Sequence, residues 1–156
     1  MRLTIILILT TFTIYAQKTY QKNYFDNGVL ESEGWIIEKQ KTDYWKFYYK
    51  NKTVKKEGHF INGKETKYWF FYREDGTKIM DGHFIRGFKN DWWVFYNDKN
   101  IITYKCQFKN NLKNGYCLIY ENNNIVSIKK YKKDNFIKEW TDIESFKKEN
   151  NLRDLQ

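Results

Sequence analysis

The sequence predicts an all-β chain, an elongated antiparallel meander of stacked β-hairpins built from about five 24-residue repeats. The first supporting observation is the period. Tyr24, Tyr48, Tyr72, Tyr96 and Tyr120 recur at a constant interval of 24 residues. Trp45, Trp69 and Trp93 keep the same interval, as do Phe60, Phe84 and Phe108. A fixed period of this length marks a stacked-repeat architecture. The second observation is a pair of turn columns. One ends at Gly28, Lys52, Gly76, Asn100 and Asn124, the other carries Gly63, Gly87, Asn111 and Asn135. Gly and Asn tolerate the left-handed backbone that tight hairpin turns demand. The third is the absence of proline, which leaves every strand its full set of amide donors.

The chain has room for one domain. Its first 16 residues, MRLTIILILTTFTIYA, join one basic residue (Arg2) to an apolar run ending at a small one. That is the layout of a secretory signal peptide cleaved near Ala16. The alternative is an uncleaved anchor, but a spanning helix needs about 20 apolar residues and this run contains four threonines. No second long apolar stretch follows, so the mature chain is expected in the periplasm, the envelope or outside the cell, without a transmembrane segment.

Residues 17–140 form the repeat domain. The units begin QKNYFDNG (from Gln21), WKFYYKNK (Trp45), WFFYREDG (Trp69), WVFYNDKN (Trp93) and CLIYENNN (Cys117). Each has a short aromatic run, a turn, a second half-apolar run and a polar connection. These runs are of strand length and too short for helices. About ten strands are expected between residues 20 and 140, with turns near 27, 51, 63, 75, 87, 99, 111 and 123. In the first strand of a middle repeat, Trp69 and Phe71 point one way and Phe70 and Tyr72 the other. One side must then be buried by curvature, leaving the other as an aromatic groove or a second buried layer. Of the 31 aromatics, 28 lie between residues 20 and 140, so they are the core. Lys89 reads as a polar connection residue. The first repeat has Lys39 where glycine is expected, and terminal repeats are often irregular because they face water.

Residues 141–156 read as a capping helix. Thr141-Asp142-Ile143-Glu144 is a capping-box pattern. Ile143, Phe146 and Leu152 are expected against the final hairpin, covering the open sheet edge.

Chemistry-bearing residues are sparse. His59 and His83 share a strand face with Glu57 and Asp81. Equivalent residues two strands apart, however, sit roughly 9–10 Å from one another, against about 2 Å for an imidazole–zinc bond. Repeated surface histidines are the simpler reading. Cys106 and Cys117 replace a glycine and a tryptophan of the pattern and flank one connection. They are either a cross-strand disulfide, which export permits, or buried free thiols. No nucleophile motif, phosphate loop or paired-cysteine metal site appears. The expectation is a non-enzyme without cofactor or metal. The formal charge of +9 falls to +8 once Arg2 is removed. That favours acidic partners, with export arguing against nucleic acid, and the lysines are spread through every repeat as if to keep turns and edges solvated.

The units WKFYYKNKTVKKEGHFINGK (45–64) and WFFYREDGTKIMDGHFIRGF (69–88) resemble the MORN repeat variant of bacterial YwqK-type antitoxin proteins. The resemblance covers roughly residues 20–140 and implies an elongated sheet of stacked hairpins, with antitoxin activity as one role. The expected function is an exported binding or scaffold module for a protein or an envelope polymer. The alternatives are neutralisation of a toxin and attachment to anionic lipid or glycan.

Overall fold

Short runs in which large aromatics alternate with polar residues, joined by left-handed turn residues, can pair only with their sequence neighbours. A computed structural model describes residues 17–155, so the leader at 1–16 lies outside the described residues. The strands are β1 (Thr19–Tyr24), β2 (Leu30–Ile37), β3 (Gln40–Tyr48), β4 (Val54–Ile61), β5 (Lys64–Tyr72), β6 (Lys78–Ile85), β7 (Phe88–Tyr96), β8 (Ile102–Lys109), β9 (Leu112–Glu121), β10 (Asn124–Lys132) and β11 (Asn135–Trp140). They form one open 11-stranded sheet in sequence order, every neighbouring pair antiparallel.

The turns alternate in kind. The longer ones span five residues, as at 49–53, where Lys52 closes back on the Tyr49 carbonyl at 3.0 Å. The shorter ones have two residues, both left-handed, such as Asn62–Gly63 and Arg86–Gly87. Eleven strands rather than about ten arise because Glu38 and Lys39 make such a turn without any glycine (φ 49° and 65°). The last repeat drops one residue. Asn122 and Asn123 replace a five-residue turn, which moves Asn124 into β10. The following turn is consequently Lys133–Asp134, and Asn135 opens β11 instead of sitting in the turn.

A third left-handed column, at Asp43, Lys67, Asp91 and Gly115, has no counterpart in the sequence reading. It falls where the register slips, for example between Gly58↔Trp69 and His59↔Thr66. Bulges of this kind bend a strand and raise its twist.

The sheet has two chemically distinct faces. On the first, Trp45, Trp69 and Trp93 are 0% exposed although the protein is a single layer. Each tryptophan lies opposite a glycine of the preceding strand, Gly34, Gly58 or Gly82. A Cβ on any of these glycines would overlap the indole ring. Each indole Nε1 also donates to a carbonyl of that preceding strand, Trp35, His59 or His83, at 2.8–3.1 Å. Phe60 and Phe84 meet Trp69 and Trp93 edge-on at 5.0 and 4.9 Å. Curvature therefore buries this side, with Phe60, Phe84 and Phe108 packed in one strip.

At the carboxy terminus, α1 (Ile143–Lys147) is followed by a 3-10 turn (Leu152–Leu155). The cap is shorter than one helix over 141–156. Its N-cap is Asp142, whose carboxylate accepts from the Ser145 amide at 2.6 Å, so the capping pair starts one residue later than Thr141. The helix lies on the second face, not along the sheet edge. Phe146 is fully buried against Tyr116 and Trp140, while five of the six β11 residues stay exposed. An aromatic socket two strands deep holds a phenyl ring better than a narrow strand edge.

Candidate binding surface

The second face holds the positions left open by the core. Its inner column is polar. The Tyr48 hydroxyl donates to Glu33 at 2.7 Å and the Tyr72 hydroxyl to Glu57 at 3.0 Å. Tyr96 donates to Asp81 at 2.8 Å, and the Tyr68 hydroxyl bonds the other oxygen of the same carboxylate. Asp81 is buried and also faces Lys78 at 3.4 Å, while Lys22 and Lys46 sit 3.7 Å from Glu33 and Glu57. Buried carboxylates persist only when hydrogen-bonded or paired, and these are both.

The titration behaviour follows. The hydrogen bond from Tyr48 holds the Glu33 carboxyl below its usual range. Burial, with the neighbouring carboxylate second, raises the phenols of Tyr48, Tyr72, Tyr68 and Tyr96. Tyr44 is pushed up to about 12, chiefly by burial and then by Glu57.

Nearer the two-residue turns the same face carries ring pairs. Tyr20 meets Trp35 edge-on at 5.1 Å, Tyr44 meets His59 at 4.9 Å and Tyr68 meets His83 at 4.8 Å. Tyr20 is 45% and Tyr44 37% exposed, so the row is open to solvent. The histidines are thus ring partners of tyrosines. Among the described residues, no group of three or more His, Cys, Asp or Glu is placed to hold a metal ion.

Several lysines that read as solvated cover the first face instead. Lys41 lies 5.0 Å from the Trp45 ring centre, Lys56 5.3 Å from Trp69 and Lys89 4.4 Å from Trp93. Their methylene stems shield the strip while the ammoniums reach water and the ring faces. Burial lowers the pKa of Lys56 and Lys89. Lys89 is therefore a lid on the core, correcting its reading as a connection residue.

Cys106 and Cys117 lie directly opposite in β8 and β9 and are joined in a disulfide, at the register position held elsewhere by glycine and tryptophan. Tyr48, Tyr72 and Tyr96 end β3, β5 and β7 and face the polar column rather than the tryptophans, Tyr24 ends β1, and Tyr120 packs beside the apolar cluster around Leu118 and Ile128. Sequence reasoning placed Glu57 and Asp81 only beside the histidines and missed Glu33 and the tyrosine–carboxylate bonds. Their signal was present: Glu33, Glu57 and Asp81 keep the 24-residue interval and precede Tyr48, Tyr72 and Tyr96 by 15 residues.

The fold and this surface define a single-sheet hairpin-repeat protein with one closed and one open face. No protein-family model matches the chain, and no curated protein matches it either.

Proposed function

We propose that the protein is an exported, non-catalytic repeat module of the MORN-like type that binds another protein or an envelope polymer through its open face. The observation that carries this reading is the row Tyr20–Trp35, Tyr44–His59 and Tyr68–His83, aromatic pairs at repeat spacing, each with an exposed ring, on a surface that α1 leaves uncovered. Exposed aromatics with a polar frame are typical of binding surfaces. Export is supported by the leader pattern at 1–16 and by the disulfide, a bond at home in oxidising compartments. The absence of catalysis is supported by the carboxylates, whose oxygens are engaged by tyrosine hydroxyls and lysines.

The test is affinity capture from the native envelope fraction with immobilised residues 17–156, beside a Tyr20→Ser, Tyr44→Ser variant. A ligand retained by the first and lost by the second is the expected result. Equal retention by both proteins would remove the open face from the account. A second reading, neutralisation of an exported toxin by surface complementarity, rests on the resemblance of residues 45–64 and 69–88 to YwqK-type units. A toxin gene beside this one, with its product inhibited by the purified chain, is what that reading requires.

A further inference from the structure

The two edges of the sheet, defined by the two kinds of turn, differ in charge. The two-residue turns with their flanking pairs (37–40, 61–64, 85–88, 109–112 and 132–135) hold six basic and two acidic residues. The opposite turns (25–29, 49–53, 73–77, 97–101 and 121–124) hold four basic and five acidic residues. Within the three central short turns the cations Lys64, Arg86 and Lys109 stand with no acid at all.

The same short turns carry the exposed aliphatic and aromatic tips. Ile61 is 55%, Ile85 52%, Phe88 48% and Leu112 40% exposed. These residues share the side of the sheet that bears the open face. Depressions lie between successive hairpins here. One is lined by Ile61, Lys64, Thr66, Ile85 and Arg86, and its counterpart 48 residues on by Lys109, Leu112, Asn114 and Lys133. The edge is thus a row of apolar tips set among cations, with one depression between Ile61 and Ile85 and another, lined mostly by polar residues, at Leu112 two repeats on.

We infer that this edge binds an extended, acidic segment of a partner protein with an apolar residue at every third position. This rests on the binding-module reading and names the partner for the margin of the open face. The spacing supports it. Equivalent positions two strands apart lie roughly 9–10 Å from one another. A polyproline-type extended chain turns once every three residues and rises about 9 Å per turn. Every third side chain of such a segment meets the apolar tip of one hairpin, at Ile61, at Ile85 with Phe88, or at Leu112, and the acidic residues between face Lys64, Arg86 and Lys109. An extended chain also follows the row as it turns. Neighbouring strands rotate by roughly 20–25°, so tips two repeats apart do not meet one flat surface together, which disfavours a bilayer.

The probe is a fluorescein-labelled peptide of about five Glu-Asp-Leu triplets, long enough for the whole row. Anisotropy titration is made with residues 17–156. Binding is expected, weakened about tenfold by Lys64→Glu with Arg86→Glu and likewise by Ile61→Ser with Ile85→Ser. All four side chains are exposed, and urea midpoints check that the variants fold. Lys50→Glu with Lys52→Glu, on the opposite edge, should leave affinity unchanged. No binding at about 1 mM peptide overturns the inference. Equal binding by a Glu-Asp-Ser peptide also overturns it, since charge alone would then suffice. Sedimentation with anionic vesicles, abolished by the same substitutions and not competed by the peptide, would assign the edge to a membrane instead. Capture through Tyr20 and Tyr44 is read separately, so the peptide can fail while the open-face reading stands.

Discussion

The first three repeats and the last one share a register and differ in what fills it. On the open face, cross-strand pairs run Lys22↔Glu33, Lys46↔Glu57, Phe70↔Asp81, Val94↔Lys105 and Leu118↔Ile128. The column thus passes from a charged pair at one end to an aliphatic pair at the other. Only the aliphatic end is covered, by Phe146 packed over Leu118, Ile128, Tyr116 and Trp140. A helix seated over Lys46 and Glu57 would have to desolvate both charges, which a phenyl ring cannot offset. Two residues per repeat therefore decide which stretch of an otherwise uniform sheet stays uncovered. The closed face changes at the same place. Gly34–Trp45, Gly58–Trp69 and Gly82–Trp93 give way to Cys106–Cys117, where a covalent bond replaces an indole laid on a bare backbone.

The largest effect should come from the middle of the closed face. Trp69 touches Phe47, Phe60, Phe71 and Phe84 and donates to the His59 carbonyl. Trp69→Ala should cost about 3–5 kcal/mol in urea unfolding, since the cavity is shared by strands on both sides. Gly58→Val should fail in the same way, because its side chain would occupy the place of the ring. A loss below 1 kcal/mol for both would mean that the indole–glycine step does not hold the middle repeats together.

Next comes the capped end. Phe146→Ala should cost about 3 kcal/mol, the low end for a buried phenylalanine, because α1 packs at one end of the sheet, on β10, β11 and the β9 side chains Tyr116 and Leu118. Its signature is local: faster amide exchange in 141–155 with β3–β7 unchanged. Exchange rising evenly across the sheet would show that the two ends do not differ as described. A smaller loss, about 2–3 kcal/mol, is expected when Cys106 and Cys117 are both replaced by alanine, since the bond closes a short loop, 11 residues apart in sequence. A loss matching that of Trp69→Ala would make the disulfide the main support of the sheet.

Period and turn chemistry made the all-β meander legible in the sequence because both act locally. Gly28, Gly63, Gly76 and Gly87 are left-handed where the turn columns place them. The dropped residue at Asn122–Asn123 was harder to read, since three asparagines in a row offer two equivalent registers. The bulge column at Asp43, Lys67 and Asp91 was hidden for another reason: its residues lack the glycine that marks such sites. Which side of the sheet stays open was not legible. Trp69 and Phe70 are both large aromatics, and only the contacts across strands, indole to glycine against tyrosine to carboxylate, separate their faces.

The smallest effect is a pH dependence that also distinguishes the two ends. In the folded chain Tyr48 and Tyr72 have phenols raised by burial and by Glu33 and Glu57, whereas the raised Tyr120 has burial as its cause and Lys105 5.7 Å over its ring. A group whose pKa is raised on folding adds stability that is complete below its unfolded value, about 10 for tyrosine. That stability is lost as pH climbs through the folded value. Urea midpoints of residues 17–156 should therefore be level from about pH 7 to 9 and fall beyond about pH 10. Tyr72→Phe removes one of the groups that release a proton on unfolding, so its midpoint should fall less steeply there, at the cost of a lower plateau from the lost bond to Glu57. Tyr120→Phe, which breaks no bond to a carboxylate, should flatten the slope less and leave the plateau closer to wild type. If Tyr120→Phe flattens the alkaline limb as much as Tyr72→Phe, burial alone sets these phenols and the carboxylate column contributes nothing to the difference between the ends.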